Sequence, residues 1–331
     1  MSELNTNENA SLVKGIMHER NINKVTKKQL VGKIFAQIGL YLFLGIMAFI
    51  VVFPFLWMIG TSLKHFGEYY PRFHENAELR DTDFTLILFP EGARDYMNYA
   101  EVFTKKNLHL FLINTLIVGV ASTAFSLIIT ILSAFALARL EFKGKNAFFA
   151  FLLATMMIPG ELFTITNYGT YLDFKWNIQP LTFSGRMNAY LALTIPFLVS
   201  VFYIYLLRQN FMQIPNELYL AAKIDGTTDF KYLIKVMIPL AMPTLISITI
   251  LKMMGAWNTY MWPKLVIDTD EFQLITVGLR EMETNSTVGA QYPDIPLQMA
   301  AVTLVSLPLF VVFICLRKYI MHGVSRSGIK G

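Results

Sequence analysis

The sequence predicts an all-α membrane protein with six transmembrane helices, and three observations support this fold class. Hydrophobic residues make up 54% of the 331 positions. Charged residues make up 15%, whereas a soluble domain carries ~25% and needs them to cover its surface. The apolar residues also stand in long blocks, and a helix needs ~20 mainly apolar residues to cross a bilayer. This composition excludes a disordered chain, and the single Cys315 excludes a disulfide framework.

Six apolar blocks are the predicted spans, and the first two are long enough to tilt or to extend into the headgroups. The blocks are Ile34–Leu63, Leu110–Leu140, Ala147–Tyr168, Asn188–Leu207, Pro243–Trp262 and Gln298–Leu316. The predicted organisation is therefore a tail over residues 1–33, a membrane domain over 34–316 and a second tail over 317–331.

Lys and Arg residues are distributed unevenly between the two sides of this six-span arrangement. The tail up to Lys33 carries six of them, and the side that holds both termini has a net charge of +10 against −5 on the other. Because cytoplasmic loops carry the Lys and Arg excess, both termini are predicted to be cytoplasmic. The basic pI of 9.1 then reflects membrane topology, and nucleic acid is not an expected partner. Residues 25–33 fit either a short helix on anionic lipid or a solvated basic tail.

The segment 208–242, between the fourth and fifth blocks, carries the clearest local pattern. Asn216 is the predicted N-cap of a short helix, with Pro215 before it and Glu217 in the first turn, where a negative charge is favoured. Gly226 is predicted to end this helix, since glycine is the preferred residue just after a helix C-terminus.

A second short helix is predicted to follow this break. Thr227 or Thr228 can cap it, Asp229 falls in its first turn, and Pro239 is expected to limit it. The loop is therefore expected to be a helix, a break and a second helix that leads into the membrane.

Leu218, Ala221 and Ala222 are spaced to share one small-residue face of the first helix. Such a face suits docking into a cleft of another protein. It is equally typical of an amphipathic connector that lies on the bilayer.

The segment resembles the cytoplasmic coupling motif of ABC importer permeases. That motif reads Glu-Ala-Ala, three residues, Gly, nine residues, then Ile-x-Leu-Pro. Leu220 replaces the Glu, and Ile238-Pro239 stands at the spacing of the final Leu-Pro. The other positions that match, including two that are common in sugar permeases, are Ala221, Ala222, Ile224, Asp225, Gly226 and Val236.

The likeness extends over nearly the whole chain, to the second membrane subunit of maltose-type carbohydrate uptake systems. The stretches that resemble this family are residues 54–64, 114–116, 134–139, 157–161, 257–263, 317–323 and 327–331.

The resemblance implies the type I ABC importer permease fold and a place in the cell membrane as a multi-pass subunit. It implies a second permease subunit, two ATPase subunits, an extracellular solute-binding protein and a sugar substrate. The residues expected to couple to the ATPase are Glu217, Leu218, Ala221, Ala222, Asp225 and Gly226. The chain lacks the Gly-x-x-x-x-Gly-Lys-[Ser/Thr] phosphate loop, so ATP is expected to be used by partners, with no cofactor and no catalytic or metal site in this chain.

Polar groups within or beside the apolar blocks are candidates for a sugar path, because such groups are costly in a membrane and usually face a cavity or a partner. The candidates are Glu161, Asn167, Tyr168, Trp257, Asn258 and Tyr260. Lys252 also lies in the middle of the fifth block, and a break is expected at Pro159-Gly160. The alternative is structural, since buried hydrogen bonds also hold spans together.

Two other function classes are less well supported by the sequence. An ion-coupled secondary transporter often has paired inverted repeats, and no repeat is evident. An intramembrane enzyme needs a catalytic constellation, and the chain has neither a His-Glu-x-x-His motif nor a pair of His residues in a span. Copurification of an ATPase would separate an importer from both.

Overall fold

The computed structural model describes residues 27–69, 97–104, 107–173, 183–284 and 294–325, and every regular element in these ranges is helical. The α-helices are α1 Lys27–Ser62, α2 Phe66–Tyr69, α3 Met97–Thr104, α4 Leu108–Arg139, α5 Lys145–Thr155, α6 Gly160–Asp173, α7 Phe183–Thr194, α8 Val201–Met212, α9 Asn216–Ile224, α10 Asp229–Tyr232, α11 Ile238–Leu240, α12 Met242–Trp257, α13 Met261–Val266, α14 Ile275–Thr284 and α15 Ile295–Ser325. The chain divides into two units, one up to Trp57 and one from Met58.

The first unit is described as the long helix α1, whose last turn belongs to the second unit. Its composition is apolar, and rings one turn apart contact each other, with centroids 5.6 Å apart for Phe49 and Phe53 and 6.4 Å apart for Phe53 and Trp57. Pro54 lies inside the helix without ending it, as is common in membrane helices.

Helix α4 is the central element of the second unit and packs against α7, α8, α12 and α14. Five small hydroxyl side chains along it are buried: Thr115, Ser122, Thr123, Ser126 and Thr130. Thr115 and Ser122 donate to carbonyls of their own helix. Small side chains that are satisfied within their own helix let neighbouring helices approach closely.

The third predicted span is broken at the expected place. Helices α5 and α6 meet at 92°, because Pro159 cannot continue the hydrogen-bond ladder of α5. The fourth is broken as well, which the sequence analysis did not predict. Helix α7 and the 3₁₀ turn Ile195–Phe197 meet α8 at 57°.

The fifth predicted span differs from the structure at both ends. After α10 the helix widens into a π turn over Leu233–Met237 and runs through Pro239 in α11. The chain then bends by 80° into α12, so the limit lies at Ala241 rather than at Pro239 itself. Helix α12 ends at Trp257 instead of reaching Trp262, which belongs to α13.

The six predicted spans equal the largest number of spans that the described helices can form. In the described part of the chain, three helices are long and apolar enough to cross a membrane, over Val31–Ser62, Leu108–Arg139 and Ile295–Cys315. Three bent pairs pass the same test together, which gives up to six spans. The domain boundary predicted after residue 316 falls inside α15, which continues to Ser325.

Three hydrophobic clusters lie along α4. One surrounds its beginning at Phe111, another lies near Val118, and the last surrounds Phe135 close to its end. The last cluster also holds Tyr232 and Met237 from the 208–242 segment. The 208–242 segment is therefore packed against the helical core through buried side chains.

Asn114 anchors the segment that follows α13. Its amide nitrogen donates to the carbonyls of Glu271 (2.8 Å) and Gln273 (3.1 Å), and its oxygen accepts from the Tyr190 hydroxyl at 2.9 Å. One buried side chain thus links α4 to two distant parts of the chain, Tyr190 on α7 and the segment over residues 271–273.

Candidate functional site

Helix α9 begins one residue earlier than the capping pattern predicted. Pro215 holds the N-cap position, and Asn216 is the first helical residue. The Asn216 side-chain oxygen accepts a hydrogen bond from Arg139 Nη1 at 3.2 Å. The prediction that Asn216 caps the helix is therefore wrong, because a distant arginine uses its oxygen instead.

Gly226 ends α9 as predicted. Its φ of +69° lies in the left-handed region, which only glycine occupies without cost. The Thr227 N–H donates to the Ala222 carbonyl at 2.9 Å, and the Gly226 N–H donates to the Lys223 carbonyl at 3.1 Å. These bonds satisfy the last carbonyls of the helix.

Helix α10 also begins as predicted. The Thr228 hydroxyl accepts from the Lys231 N–H at 3.4 Å, and Asp229 lies in the first turn. The break between α9 and α10 is therefore a capped turn with a defined direction.

The small-residue face predicted on α9 is divided between the core and the surface. Ala222 is half-buried and packs with Tyr219 against the cluster around Phe135. Ala221 and Leu218 are exposed. Glu217, Asp225 and Gly226 are exposed as well.

Further apolar side chains, which the sequence analysis did not assign to the face, are exposed on the same segment. Ile224 is 87% exposed and Phe230 is 64% exposed, and Leu220 is exposed too. Single exposed apolar residues are common on protein surfaces, but five exposed apolar side chains between Leu218 and Phe230 are typical of a contact surface. We call Leu218, Leu220, Ala221, Ile224 and Phe230 the apolar loop face.

A polar triad joins α9 to α10. The Tyr219 hydroxyl donates to Asp229 Oδ1 at 2.8 Å, and Lys223 Nζ lies 2.6 Å from the same oxygen. The Tyr219 ring also packs on the Tyr232 ring at 5.1 Å. The two short helices are therefore held in one orientation by contacts at the turn.

The charges of the triad persist through the neutral range. Hydrogen bonds from Lys223 and Tyr219 lower the pKa of Asp229 from 3.8, and the bond to Asp229 raises the pKa of Lys223 from 10.5. The contribution of Asp229 to the stability of the fold is thus fully present above about pH 3.8, and it is lost as the pH falls through the lower pKa that Asp229 has in the folded protein. The contribution of Lys223 is fully present below about pH 10.5, and it is lost as the pH rises through the higher pKa that Lys223 has in the folded protein.

Arg139, at the end of α4, fixes the chain just before α9. Its Nη2 donates to the carbonyls of Phe211 (3.0 Å) and Ile214 (2.5 Å). This role of Arg139 was not predicted from the sequence. A basic residue in the last turn of a long helix is the available signal, since such residues often bind free carbonyls.

A cavity of about 550 Å³ lies between α4, α6, α8, α12 and α13, within the range of small-molecule sites. Its lining includes Asn167, Tyr203, Lys252 and Trp262. Lys252 Nζ donates to the carbonyl of Phe197, at the break between α7 and α8, at 2.5 Å.

Of the six residues predicted for a sugar path, Asn167 alone lines this cavity. Trp257 is buried in the cluster around Phe111, and Asn258 donates to the Met254 carbonyl at the end of α12. Tyr168 packs against the cluster near Val118, while Glu161 and Tyr260 are exposed. The structure therefore does not bring these six residues together.

Within the described ranges, no three His, Cys, Asp or Glu side chains lie close enough to bind a metal ion.

Comparison with known proteins gives consistent matches. Residues 126–326 match the family model described as binding-protein-dependent transport system inner membrane component. The arabinooligosaccharides transport system permease protein of Halalkalibacterium halodurans is 30% identical over 285 residues, which are 86% of this chain and 93% of that protein.

Solved structures share the fold. A bacterial ABC transporter involved in the import of alginate, an acidic polysaccharide, superposes with a TM-score of 0.70 at 22% identity, over 87% of this chain and 97% of that one. A bacterial alginate ABC transporter in complex with its alginate-bound periplasmic protein gives a TM-score of 0.55 at 15% identity, over 86% and 95% of the two chains.

The matched region includes the 208–242 segment, most of the cavity lining and the bends that precede α8 and α12. The helices described above are long and apolar enough for several membrane spans. The chain thus belongs to the binding-protein-dependent transport system inner membrane component family, and it is a multi-pass cell-membrane permease subunit of an ABC importer.

Proposed function

We propose that this chain is one of two membrane subunits of an ATP-driven carbohydrate importer, and that it forms part of the translocation path. The relative from H. halodurans is named for arabinooligosaccharide transport. An alginate importer shares the fold. Sugar transport is thus the function that the family membership supports best.

The apolar loop face is the observation that carries the coupling role. Four of its five residues are exposed on α9, whose other side is packed into the core and whose end is fixed by Gly226, and Phe230 is exposed on α10. A rigid apolar surface of this kind is suited to insertion into a cleft of another protein. We assign that cleft to an ATPase subunit, which hydrolyses the ATP while this chain binds no cofactor.

The remaining partners follow from the same assignment. They are a second permease subunit, a second copy of the ATPase and an extracellular solute-binding protein that delivers the sugar. The family description itself names dependence on a binding protein. An ion-coupled carrier would need none of these partners, and no described contact favours it.

Charge substitution on the apolar loop face tests this proposal. Ala221→Arg is expected to remove the ATPase from the purified complex and to abolish sugar-stimulated ATP hydrolysis, because a desolvated charge is costly in an apolar cleft. The measurement is copurification from membranes that express the complete importer. Glu141→Arg places the same side chain at an exposed position outside the loop and should leave the complex intact. Normal ATPase recovery with Ala221→Arg would contradict the coupling role.

We further propose that both termini are cytoplasmic, because the charge asymmetry favours it. In a variant without Cys315, a cysteine at Gly144 is then expected to react with an impermeant thiol reagent only from the inside. A cysteine at Glu78, which lies outside the described residues, should react only from the outside. Labelling of position 144 in intact cells would overturn this topology.

A further inference from the structure

Lys252, in the second half of α12, is a charged residue that lines the cavity. Its Nζ donates to the Phe197 carbonyl at 2.5 Å. An ammonium group has three donors, and within the described part of the chain no carboxylate forms an ion pair with this one. The known bond therefore leaves donor capacity for a molecule in the cavity.

The described wall of the cavity has one positive charge and no negative charge. Among the described residues that line it, Lys252 alone carries a charge. The other polar lining groups are neutral, among them Asn167, Ser122, Ser200 and Thr259. An unneutralised cation in low-dielectric surroundings attracts anions strongly.

The remaining walls are suited to sugar rings. Trp262, Phe197 and Tyr203 line the cavity, and the Phe197 and Trp262 rings pack edge to face with centroids 5.7 Å apart. Flat apolar surfaces beside neutral hydrogen-bonding groups accept a pyranose ring and its hydroxyls. A neutral sugar needs only these apolar surfaces and neutral hydrogen-bonding groups. A neutral substrate would therefore not explain the presence of Lys252 in the cavity wall.

A structural role alone is the competing explanation. The bond to Phe197 satisfies one carbonyl freed at the bend between α7 and α8. A neutral donor would serve that purpose at lower cost, because an intramembrane charge is expensive. Intramembrane charges generally mark transport pathways.

We propose that Lys252 selects an anionic carbohydrate, one that carries a carboxylate or phosphate group, by binding that group during its passage through the cavity. This inference rests on the proposed function of the chain as a carbohydrate permease. It adds the charge of the cargo, which the family membership leaves open.

The first test measures uptake by cells that express the complete importer. The probes are neutral disaccharides, the same disaccharides with a terminal uronic acid, and their 6-phosphates, with accumulation measured by mass spectrometry. We expect a charged probe to accumulate. Lys252→Met should lower its uptake about tenfold or more, because a charge-assisted hydrogen bond is lost. Lys252→Arg, which keeps the charge, should retain uptake.

The outcomes separate the two proposals. Uptake of a uronate or a phosphate identifies which oxyanion is bound. Accumulation of neutral probes alone would overturn the anion proposal and leave the importer function intact. No accumulation of any probe above that of cells with an inactive ATPase would count against both.

The second test measures the effect of the Lys252 charge on thiol modification in the cavity, in the absence of sugar. Ser200 lines the cavity, and replacing Cys315 by serine allows Ser200→Cys to carry the one thiol. The rate ratio of an anionic to a cationic methanethiosulfonate reagent should fall about threefold or more when Lys252→Met is added. Lys143→Met, an exposed lysine in the turn before α5, is the matched control and should not change the ratio. An unchanged ratio in Lys252→Met would overturn the proposal.

Discussion

We expect Gly226→Val to abolish uptake and sugar-stimulated ATP hydrolysis while the protein still reaches the membrane. Gly226 has a φ of +69°, and a left-handed residue with a side chain costs about 1–2 kcal/mol, with β-branched residues among the least tolerated. The strain falls on the turn that ends α9 and directs α10. The apolar loop face would then be presented in the wrong orientation.

A matched glycine separates this effect from strain in general. Gly144 also has a left-handed φ, of +83°. Among the described residues, apart from each glycine and its two chain neighbours, no heavy atom lies within 4 Å of a Cβ built at either position. Gly144→Val should therefore cost similar stability but spare coupling. Gly226→Asn should retain more activity than Gly226→Val, because asparagine tolerates this conformation. Transport at the normal rate by Gly226→Val would show that the loop is only a connector.

Gly278→Ala is expected to cause the largest loss of stability. A Cβ at this position would overlap the ring atoms Cδ2 and Cε2 of Phe111 and lie 3.1 Å from Cγ. Phe111 is buried in the cluster that joins α4 to α14 and α15, so the ring has little room to move. Overpacking of this kind costs about 1–3 kcal/mol and sometimes more. The measurement is the thermal unfolding temperature of the complex in detergent.

Two further variants make this prediction specific. Gly119→Ala, on α4, meets the flexible Met253 side chain at 3.4 Å and should be nearly neutral. Phe111→Leu combined with Gly278→Ala should recover part of the loss, because the smaller side chain makes room for the new methyl group. Wild-type stability in Gly278→Ala would mean that α14 does not pack against α4 in this way.

The membrane character and the long helices follow from local properties of the sequence. In α1, α4 and α15, apolar residues continue for longer than a bilayer is thick, and no interior residue ends the helix. Hydropathy is a sum over neighbours along the chain. For this reason the block lengths predict these spans without knowledge of packing.

The capped turn of the 208–242 segment was predictable for the same reason. Gly226 and Thr228 act on backbone groups a few residues away, so their spacing alone identifies the break. The N-cap at Asn216 failed as a prediction because its side chain bonds to Arg139, 77 residues distant. A long-range partner overrode a local preference.

The helical membrane class, the number of apolar blocks, the break at Pro159 and the glycine turn could all be predicted from the sequence, since each depends on residues that are close together along the chain. The bend before α8, the inward packing of Ala222 and the cavity that Lys252 lines depend on how separate helices pack, and they could not be predicted. The bond from Lys252 to Phe197 joins residues 55 positions apart. Such contacts are made only when separate helices pack, because no local propensity specifies which distant carbonyl a side chain will meet.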